Sequence, residues 1–513
     1  MHVGQSADAK AFRFPSLSSS MSLYIDEEAS SSSEPGASVT GNASDAPTLE
    51  EIIQLTHHEL TTAQEGDSII ECGRAALSLL RTNPELCVKL AYQKLHDAPY
   101  KEVKTCWRRL YTDATLERVL SIAERRDVRP RADGDWVDEV VNLLDMALIL
   151  TAAPSREEVV ELWFAALEEE LSSDNNAETA PELCARPVKR LKLDNAPSIP
   201  TSFPTAKVES SPTLRHAVPR VADLSLSAFQ KTLSTCTTHT PLIIEDAIQH
   251  WPALNERSWS DPNYLLKRTL GGRRLVPIET GRSYTDSGWG QKISTFREFM
   301  STYMLSEAPS DELQEDKRQT GYLAQHDLFA QIPNLRADIS IPDYCYCDPT
   351  PNLLPHIKPT PKLEDPLLNA WFGPKGTISP LHTDPYHNIL AQVVGYKYVR
   401  LYAPDQTKWL YPRSVDENGV DMSNTSEVDL DEALVVCPEI GFKEESSREE
   451  ATDGPSEELV QRRADFENRF PGFLEAKYAE GILGPGECLY LPPGWWHYVK
   501  SLSPSFSVSF WFN

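Results

Sequence analysis

The sequence lacks the long apolar runs that a membrane protein requires. No stretch reaches the roughly 20 consecutive apolar residues of a transmembrane helix, so we expect no contact with a membrane. The first residues, MHVGQSADAKAFRFPS, contain no extended apolar core, and we expect no secretory signal there. The nine cysteines include no C-x-x-C pair, which disfavours a zinc site and favours a reducing compartment.

Basic residues are also scarce. The chain has 49 Lys and Arg against 76 Asp and Glu, which gives a formal net charge of −27. A surface that binds phosphates needs clustered cations, so we expect no direct binding to nucleic acid. The negative charge is compatible with a basic protein substrate, although it also simply favours solubility.

Composition and periodicity divide the chain into four parts. Residues 1–46 are rich in Ser, Ala and Gly and are predicted to be disordered. Residues 47–172 carry apolar residues at helical spacing and predict an all-helical domain, which opens with a capping box made by Thr48 and Glu51. Residues 173–218 predict a flexible linker, and residues 219–513 predict a second folded domain, whose motifs are described below. The predicted fold class is therefore a multidomain α+β chain.

The linker contains a basic cluster, RPVKRLKLD, from Arg186 to Asp194. Four cations within seven residues of a flexible segment can lie extended in the groove of an importin. We therefore predict a nuclear localisation signal and a nuclear protein, with the cytoplasm as a second location. A solvated run of charges is the alternative interpretation.

The stretch from Trp371 to Pro404 carries a metal-ligand pattern. His382 and Asp384 form an H-x-D pair, and residues two apart on a strand point to the same face. His497, in a strand-like segment near the end of the sequence, offers a third ligand. Two imidazoles and one carboxylate on one face of an octahedron are typical of non-haem Fe(II) oxygenases. We predict that these three residues bind the metal and are catalytic.

A lysine supports the same chemistry. The segment AQVVGYKYVRLYAP predicts one buried strand, and Lys397 lies inside it. A buried ammonium group is costly unless it meets an anion, and a 2-oxoglutarate oxygenase needs a deep cation for the distal carboxylate of its cosubstrate. The alternative is that Lys397 reaches the surface and His382 is an ordinary core histidine. The full set of residues disfavours that alternative.

Longer strings in the C-terminal part resemble the JmjC-domain oxygenases. They are GYLAQHDLFAQIP, DISIPDYC, WFGPKGTISPLHTDP and HYVKSLSPSFSVSFWFN, within roughly residues 219–513. The resemblance implies a double-stranded β-helix, which is a cupin-like jelly roll, and a requirement for Fe(II), 2-oxoglutarate and O2. By position it assigns iron to the three predicted ligands. It assigns the cosubstrate to six residues: Tyr322, Gln325, Ser379, Asn388, Lys397 and Trp511.

Four further residues match family positions near the mouth of the active site: Glu279, Tyr284, Trp289 and Trp371. An acid and aromatic faces would hold a cationic side chain, so we predict that these residues bind the substrate. Alternatively, Glu279 caps a turn and the tryptophans belong to the core.

The resemblance allows two outcomes of one chemistry, arginine hydroxylation and histone lysine demethylation. We favour a 2-oxoglutarate-dependent dioxygenase that hydroxylates arginine in a protein substrate. The chain lacks histone-reading modules, and a carboxylate suits a guanidinium better than a methylated ammonium. Demethylation of methyl-lysine in a histone or another chromatin-associated protein is the alternative. A catalytically silent cupin-like scaffold is the alternative of another class, and the intact triad with Lys397 disfavours it. Lys397 also disfavours a zinc hydrolase.

The interval between Asp384 and His497 is longer than in the family. We assign the surplus to residues 428–463, which are acidic and poor in aromatic residues. This composition predicts an insertion that loops away from the barrel surface.

Overall fold

The computed structural model describes residues 46–62, 66–126, 135–177, 199–203, 213–235, 239–286, 288–305, 320–350, 360–416, 419–441 and 456–513. They form two compact units. The helical unit comprises the described residues up to 177 together with Thr269–Leu275, and the sheet unit comprises Ile199–Arg268 and Val276–Asn513. The predicted disordered N-terminus, up to residue 45, and the basic cluster from Arg186 to Asp194 lie outside the described residues. None of the described helices is both long enough and apolar enough to cross a membrane.

The helical unit contains six α-helices within the described residues. They are α1 to α6: Leu49–Thr61, Arg74–Leu80, Pro84–His96, Thr105–Ala123, Trp136–Thr151 and Glu157–Ala177. The predicted capping box is confirmed, because Glu51 N donates to Thr48 Oγ1 at 3.3 Å and Thr48 N donates to Glu51 Oε2 at 2.8 Å. The apolar faces of the helices enclose Trp163, whose indole N–H donates to Thr56 Oγ1 at 2.8 Å.

A short segment from the C-terminal half of the sequence completes the helical unit. Asp145 of α5 is fully buried and accepts hydrogen bonds from Arg274 Nη2 at 2.8 Å and from Leu275 N at 2.7 Å. The Arg274 guanidinium also lies 3.5 Å from the centroid of the Phe164 ring. The helical unit is therefore not one contiguous piece of chain.

The sheet unit is built from two sheets that are largely antiparallel. Its strands are β1 to β13: Arg220–Val221, Leu242–Ile244, Leu275–Thr280, Gly290–Thr295, Gly321–His326, Leu367–Gly373, Ile378–His382, His387–Val394, Lys397–Tyr402, Tyr478–Leu483, Cys488–Leu491, Trp496–Ser501 and Ser505–Phe512. The larger sheet has the order β1-β2-β11-β8-β13-β6-β5-β3-β4, and the smaller has the order β10-β9-β12-β7. From β6 to β13 consecutive strands alternate between the sheets, as in a jelly roll, except that β9 and β10 both lie in the smaller sheet.

Short helices accompany these strands. They are α7 to α13: Leu226–Thr235, Pro262–Arg268, Phe296–Phe299, Leu328–Gln331, Pro333–Arg336, Leu430–Val436 and Glu457–Arg469. One apolar cluster covers the outer face of the larger sheet and contains Trp251, Trp259 and Phe510. A second cluster covers the outer face of the smaller sheet, and a third fills part of the space between the sheets. The predicted fold class, a helical domain followed by a cupin-like jelly roll, is confirmed.

The predicted acidic insertion does not loop away from the barrel at its two ends. Leu430, Ala433 and Val436 are buried in the cluster on the outer face of the smaller sheet, and Leu459 of α13 packs against the same cluster while partly buried. This part of the prediction was wrong because apolar residues at helical spacing separate the acidic ones and give α12 a buried face. Residues 442–455 lie outside the described part of the chain.

The contact between Arg274 and Asp145 yields a stability prediction. Arg274→Ala leaves a buried carboxylate without its cation, which costs about 3–5 kcal/mol in comparable pairs. Arg273→Ala is the matched control, because Arg273 is partly exposed and pairs with Asp135 and Asp138 at the surface. This control should lose about 1 kcal/mol or less. Hydrogen exchange of the α5 amides measures the free energy of opening in each variant and in the wild type. Equal effects of the two substitutions would contradict the prediction.

Candidate active site and metal centre

The predicted metal ligands converge at one end of the smaller sheet. His382 ends β7, His497 lies in the neighbouring β12, and the two residues face each other in the strand register. Asp384 follows two residues after the end of β7, so a turn rather than a continuous strand places its carboxylate. Potential ligand atoms of the three residues all lie within 4.8 Å of one another. Asp384 Oδ1 is 3.9 Å from His382 Nε2, and Asp384 Oδ2 is 3.5 Å from His497 Nε2.

Backbone carbonyl groups orient both imidazoles. His382 Nδ1 lies 2.7 Å from Pro380 O, and His497 Nδ1 lies 3.0 Å from Trp495 O. A carbonyl oxygen can only accept, so each Nδ1 carries the proton and each Nε2 presents a lone pair to the centre. This is the tautomer that a metal ligand requires.

Burial disfavours the charged forms of Asp384 and His497 when no cation is bound. Desolvation raises the pKa of Asp384, an effect that His382 partly offsets. Burial, with a smaller contribution from His382, holds the pKa of His497 well below its usual value. A divalent cation would relieve the desolvated carboxylate and accept both neutral imidazoles, so the residues present fit the Fe(II) that the triad predicts.

The triad opens into a cavity of about 450 Å³ between the two sheets. The cavity is lined by every residue that the sequence nominated for the metal, the cosubstrate or the substrate. In addition to the triad, these are Tyr322, Gln325, Ser379, Asn388, Lys397, Trp511, Glu279, Tyr284, Trp289 and Trp371. The fold therefore brings together residues that are up to 232 positions apart in the sequence (279 to 511).

The Lys397 ammonium group is buried inside the cavity. The residue is 1% exposed, and its Nζ lies 3.4 Å from the hydroxyl oxygen of Tyr322. Within the described residues no carboxylate forms an ion pair with it. Burial lowers the pKa of Lys397 to about 7. A group in this environment is stabilised by an anion, which restores the charge-assisted hydrogen bonds that water would provide.

Two further polar atoms of the cavity wall lack a hydrogen-bond partner. Trp511 Nε1 on β13 and Asn388 Oδ1 on the adjacent β8 are both buried and unpaired, and the two residues are partners in the strand register. Buried polar groups without partners are rare and usually mark a ligand or ordered water. Trp511 Nε1 and the Lys397 ammonium group are donors that fit a dicarboxylate such as 2-oxoglutarate, whereas Asn388 Oδ1 accepts and fits a water molecule or a donor group.

Gln325 reaches the cavity through a distortion of β5. Its backbone has a φ of 48°, in the left-handed region, and the pairing of β5 with β6 changes register between Leu323 and His326. A bulge of this kind redirects a side chain, and strained residues of this type cluster at functional sites.

The predicted substrate residues adjoin Tyr322 in the cavity wall, since Glu279 and Tyr322 are partners in the strand register. Glu279 accepts a hydrogen bond from Trp289 Nε1 at 3.2 Å, and burial raises the pKa of Glu279 to about 7. Trp371 Nε1 donates to Ser509 Oγ at 3.0 Å, which fixes its ring beside the Tyr322 ring at 6.0 Å between centroids. The aromatic residues are therefore held by polar contacts at the cavity wall.

A hairpin that borders the cavity was not predicted from the sequence. It comprises residues 411–416 and 419–426, and residues 417 and 418 lie outside the described part of the chain. Ser426 N donates to Leu381 O and Thr383 N donates to Asn424 O, so the hairpin extends the edge of β7 beside the metal ligands. Met422, Asn424 and Thr425 line the cavity. The signal that could have found it is the run D-E-N-G between two extended segments, which is typical of a turn in a hairpin.

Comparison with known proteins relates the chain to a family. Residues 229–513 match the family described as Cupin-like domain. Lysine-specific demethylase 8 of Danio rerio is 33% identical over 84% of this chain and 86% of its own length. Lysine-specific demethylase 8 of Xenopus tropicalis is 31% identical over 87% of this chain and 90% of its own length. The human bifunctional peptidase and (3S)-lysyl hydroxylase JMJD7 is 25% identical over 53% of this chain and 77% of its own length.

The family match covers β2 to β13, and the 84% of this chain that aligns with the Danio rerio relative exceeds the length of that match. The JmjC family depends in general on Fe(II) and 2-oxoglutarate, and the cavity offers a ligand set for the first and a buried cation for the second. This chain is a member of the cupin-like JmjC family and a 2-oxoglutarate-dependent dioxygenase.

Proposed function

We propose that the protein hydroxylates arginine side chains of protein substrates. The observation that carries this proposal is Glu279, a carboxyl group buried in the cavity wall beside Trp289 and Tyr284. A guanidinium group presents several N–H donors in a planar fork and can bond to the carboxylate while its flat face packs on an aromatic ring. One carboxylate and several aromatic rings thus supply the contacts that an arginine needs.

In this proposal His382, Asp384 and His497 hold Fe(II). When bound, Fe(II) with 2-oxoglutarate and O2 supplies the oxidation that replaces a substrate C–H with C–OH and releases succinate and CO2. Lys397 and Tyr322 hold the distal carboxylate of the cosubstrate, Trp511 offers its unpaired indole N–H as a donor, and Asn388 can donate only through its amide N–H. Ser379 and Gln325 complete this polar wall. The two sheets exclude water from the space between these residues.

Glu279 orients the substrate and balances its charge. Because desolvation raises the pKa of Glu279 to about 7, the empty site holds a substantial fraction of the carboxyl in its neutral form at neutral pH. An arriving guanidinium stabilises the ionised form, so binding releases a proton from this fraction. Trp289 donates to the same carboxylate and keeps it aimed into the cavity.

Demethylation of methyl-lysine is the second candidate. It is favoured by the printed names of the demethylase relatives and by the aromatic rings in the cavity wall, since aromatic cages bind methylated ammonium groups. The substrate in either case is a protein segment, and a histone or another chromatin-associated protein is one candidate. A silent scaffold is disfavoured, because binding alone gives no reason for a buried lysine beside three metal ligands.

We also propose a nuclear location, with import through the basic cluster from Arg186 to Asp194. This rests on the sequence alone, since the cluster lies outside the described residues. The scarcity of clustered cations supports a protein rather than a nucleic acid as the direct partner.

The substrate class is tested by mass spectrometry of matched peptides. Purified protein is incubated with Fe(II), ascorbate and 2-oxoglutarate, and with peptides that differ only in carrying arginine or methyl-lysine at one position. We expect a gain of one oxygen on arginine and no loss of methyl groups from lysine. Asp384→Ala is the inactive control, because it removes a predicted metal ligand. Loss of a methyl group without arginine oxidation would overturn the proposal in favour of demethylation.

The pKa of Glu279 leads to a pH prediction. The carboxyl is raised above its ordinary value, so it is neutral below about pH 7 and gains its charge as the pH rises. The affinity for an arginine peptide should therefore increase about tenfold from pH 6 to pH 8, following the ionised fraction of a group with this pKa. Fluorescence anisotropy of a labelled peptide on protein loaded with Mn(II) measures this.

Glu279→Gln is the matched variant for the pH series, because it keeps the size and the hydrogen bond of the side chain and removes its titration. It should bind the arginine peptide weakly and with no dependence on pH in this range. A wild-type affinity that does not change between pH 6 and pH 8 would contradict the role of Glu279.

A further inference from the structure

A loop at the rim of the cavity is closed tightly on itself. The rim loop, residues 281–289 without residue 287, connects β3 to β4 and carries Tyr284 and Trp289 into the cavity wall. It starts at Gly281 with a φ of +111°, where a Cβ atom would lie 3.2 Å from both Gly288 O and the Trp289 Cα. Gly281 is therefore required for the two ends of the loop to meet, and Trp289 is held close to Glu279.

Arg282 of the rim loop pairs with carboxylates that lie both inside and outside the loop. Arg282 Nε donates to Asp286 Oδ2 at 3.0 Å within the loop. Arg282 Nη2 donates to Asp429 Oδ2 at 2.5 Å, and Arg282 Nη1 lies 3.8 Å from Asp431 Oδ2. Asp429 also caps the start of α12, where its Oδ1 accepts from the backbone N–H groups of Asp431 and Glu432. The rim loop is thus attached to the end of a packed helix.

The same carboxylates connect onward to the strand of a metal ligand. Asp431 accepts a hydrogen bond from Tyr498 OH at 2.8 Å and from Lys500 Nζ at 2.6 Å. Both donors lie on β12, which also carries His497, and Tyr498 is fully buried on the outer side of that strand. A continuous series of ion pairs and hydrogen bonds therefore links the loop beside Glu279 to the strand that supplies a metal ligand.

We propose that Arg282 is a positioning residue that fixes the substrate-binding wall relative to the metal centre through Asp429 and Asp431. This inference rests on the proposed function, because it concerns where the bound cationic side chain is presented. Exposed ion pairs contribute little to global stability, and Arg282 is 46% exposed in its side chain. Its effect is therefore on the position of the rim loop, and not on whether the protein folds.

Positioning of this kind has a measurable kinetic consequence. If the rim loop moves relative to the triad, the peptide carbon is presented less often in a reactive position, while consumption of 2-oxoglutarate continues. The ratio of oxidised peptide to succinate formed should then fall. Arg282, Asp429 and Asp431 are not among the residues that line the cavity, and the cosubstrate residues Lys397 and Ser379 lie on strands that the rim loop does not connect. The KM for 2-oxoglutarate should therefore not change.

Two substitutions break the link from opposite sides. Arg282→Gln removes the cation, and Asp429→Asn removes the charge but keeps a good helix cap, since Asn is as effective as Asp at this position. We expect each to raise the peptide KM three- to tenfold and to lower the ratio of oxidised peptide to succinate two- to fivefold. The double variant should be no worse than Arg282→Gln alone, because that substitution already removes the contact between Arg282 and Asp429. Arg282→Lys, which keeps the charge and loses the fork geometry, should recover part of the ratio.

Arg463→Gln is the matched control. Arg463 has a similar side-chain exposure of 40% and also pairs with carboxylates, Glu439 and Glu467, but both partners lie outside the rim loop, the start of α12 and β12. Arg463→Gln should change neither the peptide KM nor the product ratio. The amount of succinate formed in the absence of peptide should also stay the same.

The outcomes separate this inference from the proposed function. A wild-type protein that adds no oxygen to the arginine peptide refutes the proposed function and the inference built on it. A wild-type protein that oxidises the peptide, with a product ratio unchanged in Arg282→Gln and Asp429→Asn, overturns the positioning role alone. Independent, multiplying effects of the two substitutions would also overturn it.

Discussion

The burial of one ammonium group constrains the rest of the catalytic site. Lys397 points into the space between the two sheets, where the only described contact of its Nζ is the hydroxyl group of Tyr322 at 3.4 Å. A charge in such a place is stable only if an anion meets it, so the cavity must admit a carboxylate. Because β9 lies beside β12 in the smaller sheet, the strand pairing aligns Lys397 with Ser501 and His497 with Leu401, so Lys397 and His497 lie on the same face of the sheet. The anion site and the metal site are therefore consequences of one sheet.

That sheet is fixed from its outer side by a second set of buried charges. Arg400, on the opposite face of β9, pairs with Glu480 of β10 at 3.1 Å, and both side chains are fully buried. Arg400 Nη2 also donates to Ile440 O at 2.7 Å, which ties the segment after α12 to the sheet. Removing either charge would leave the other unpaired in the interior, so this pair supports the register of β10 with β9, the strand that carries Lys397 and pairs with β12. The rigidity of the metal centre thus depends on residues that never touch it.

Much of the site could be predicted from the sequence because its chemistry is local. Three features of the sequence each imply a chemical requirement that can be recognised without a structure. They are the H-x-D spacing, the lysine inside an apolar strand and His497 near the end of the sequence. Features that depend on long-range packing could not be predicted. The left-handed backbone of Gln325 arises from a change of register against β6, and the attachment of Arg274 to Asp145 joins positions 129 residues apart. The packing of the ends of the acidic segment could not be predicted from its composition, because acidic residues outnumber the apolar residues that form the one buried face of its helix.

The most direct test of this account is a calorimetric titration of protein loaded with Mn(II) with two acids. 2-Oxoglutarate carries a distal carboxylate, and 2-oxobutyrate is a 2-oxo acid without one. If Lys397 holds that carboxylate, the wild type should bind 2-oxoglutarate at least about 30-fold more tightly, corresponding to the roughly 2 kcal/mol of a charge-assisted hydrogen bond. Lys397→Met should lose this preference. Equal affinities in the wild type, or a preference that persists in Lys397→Met, would contradict the account.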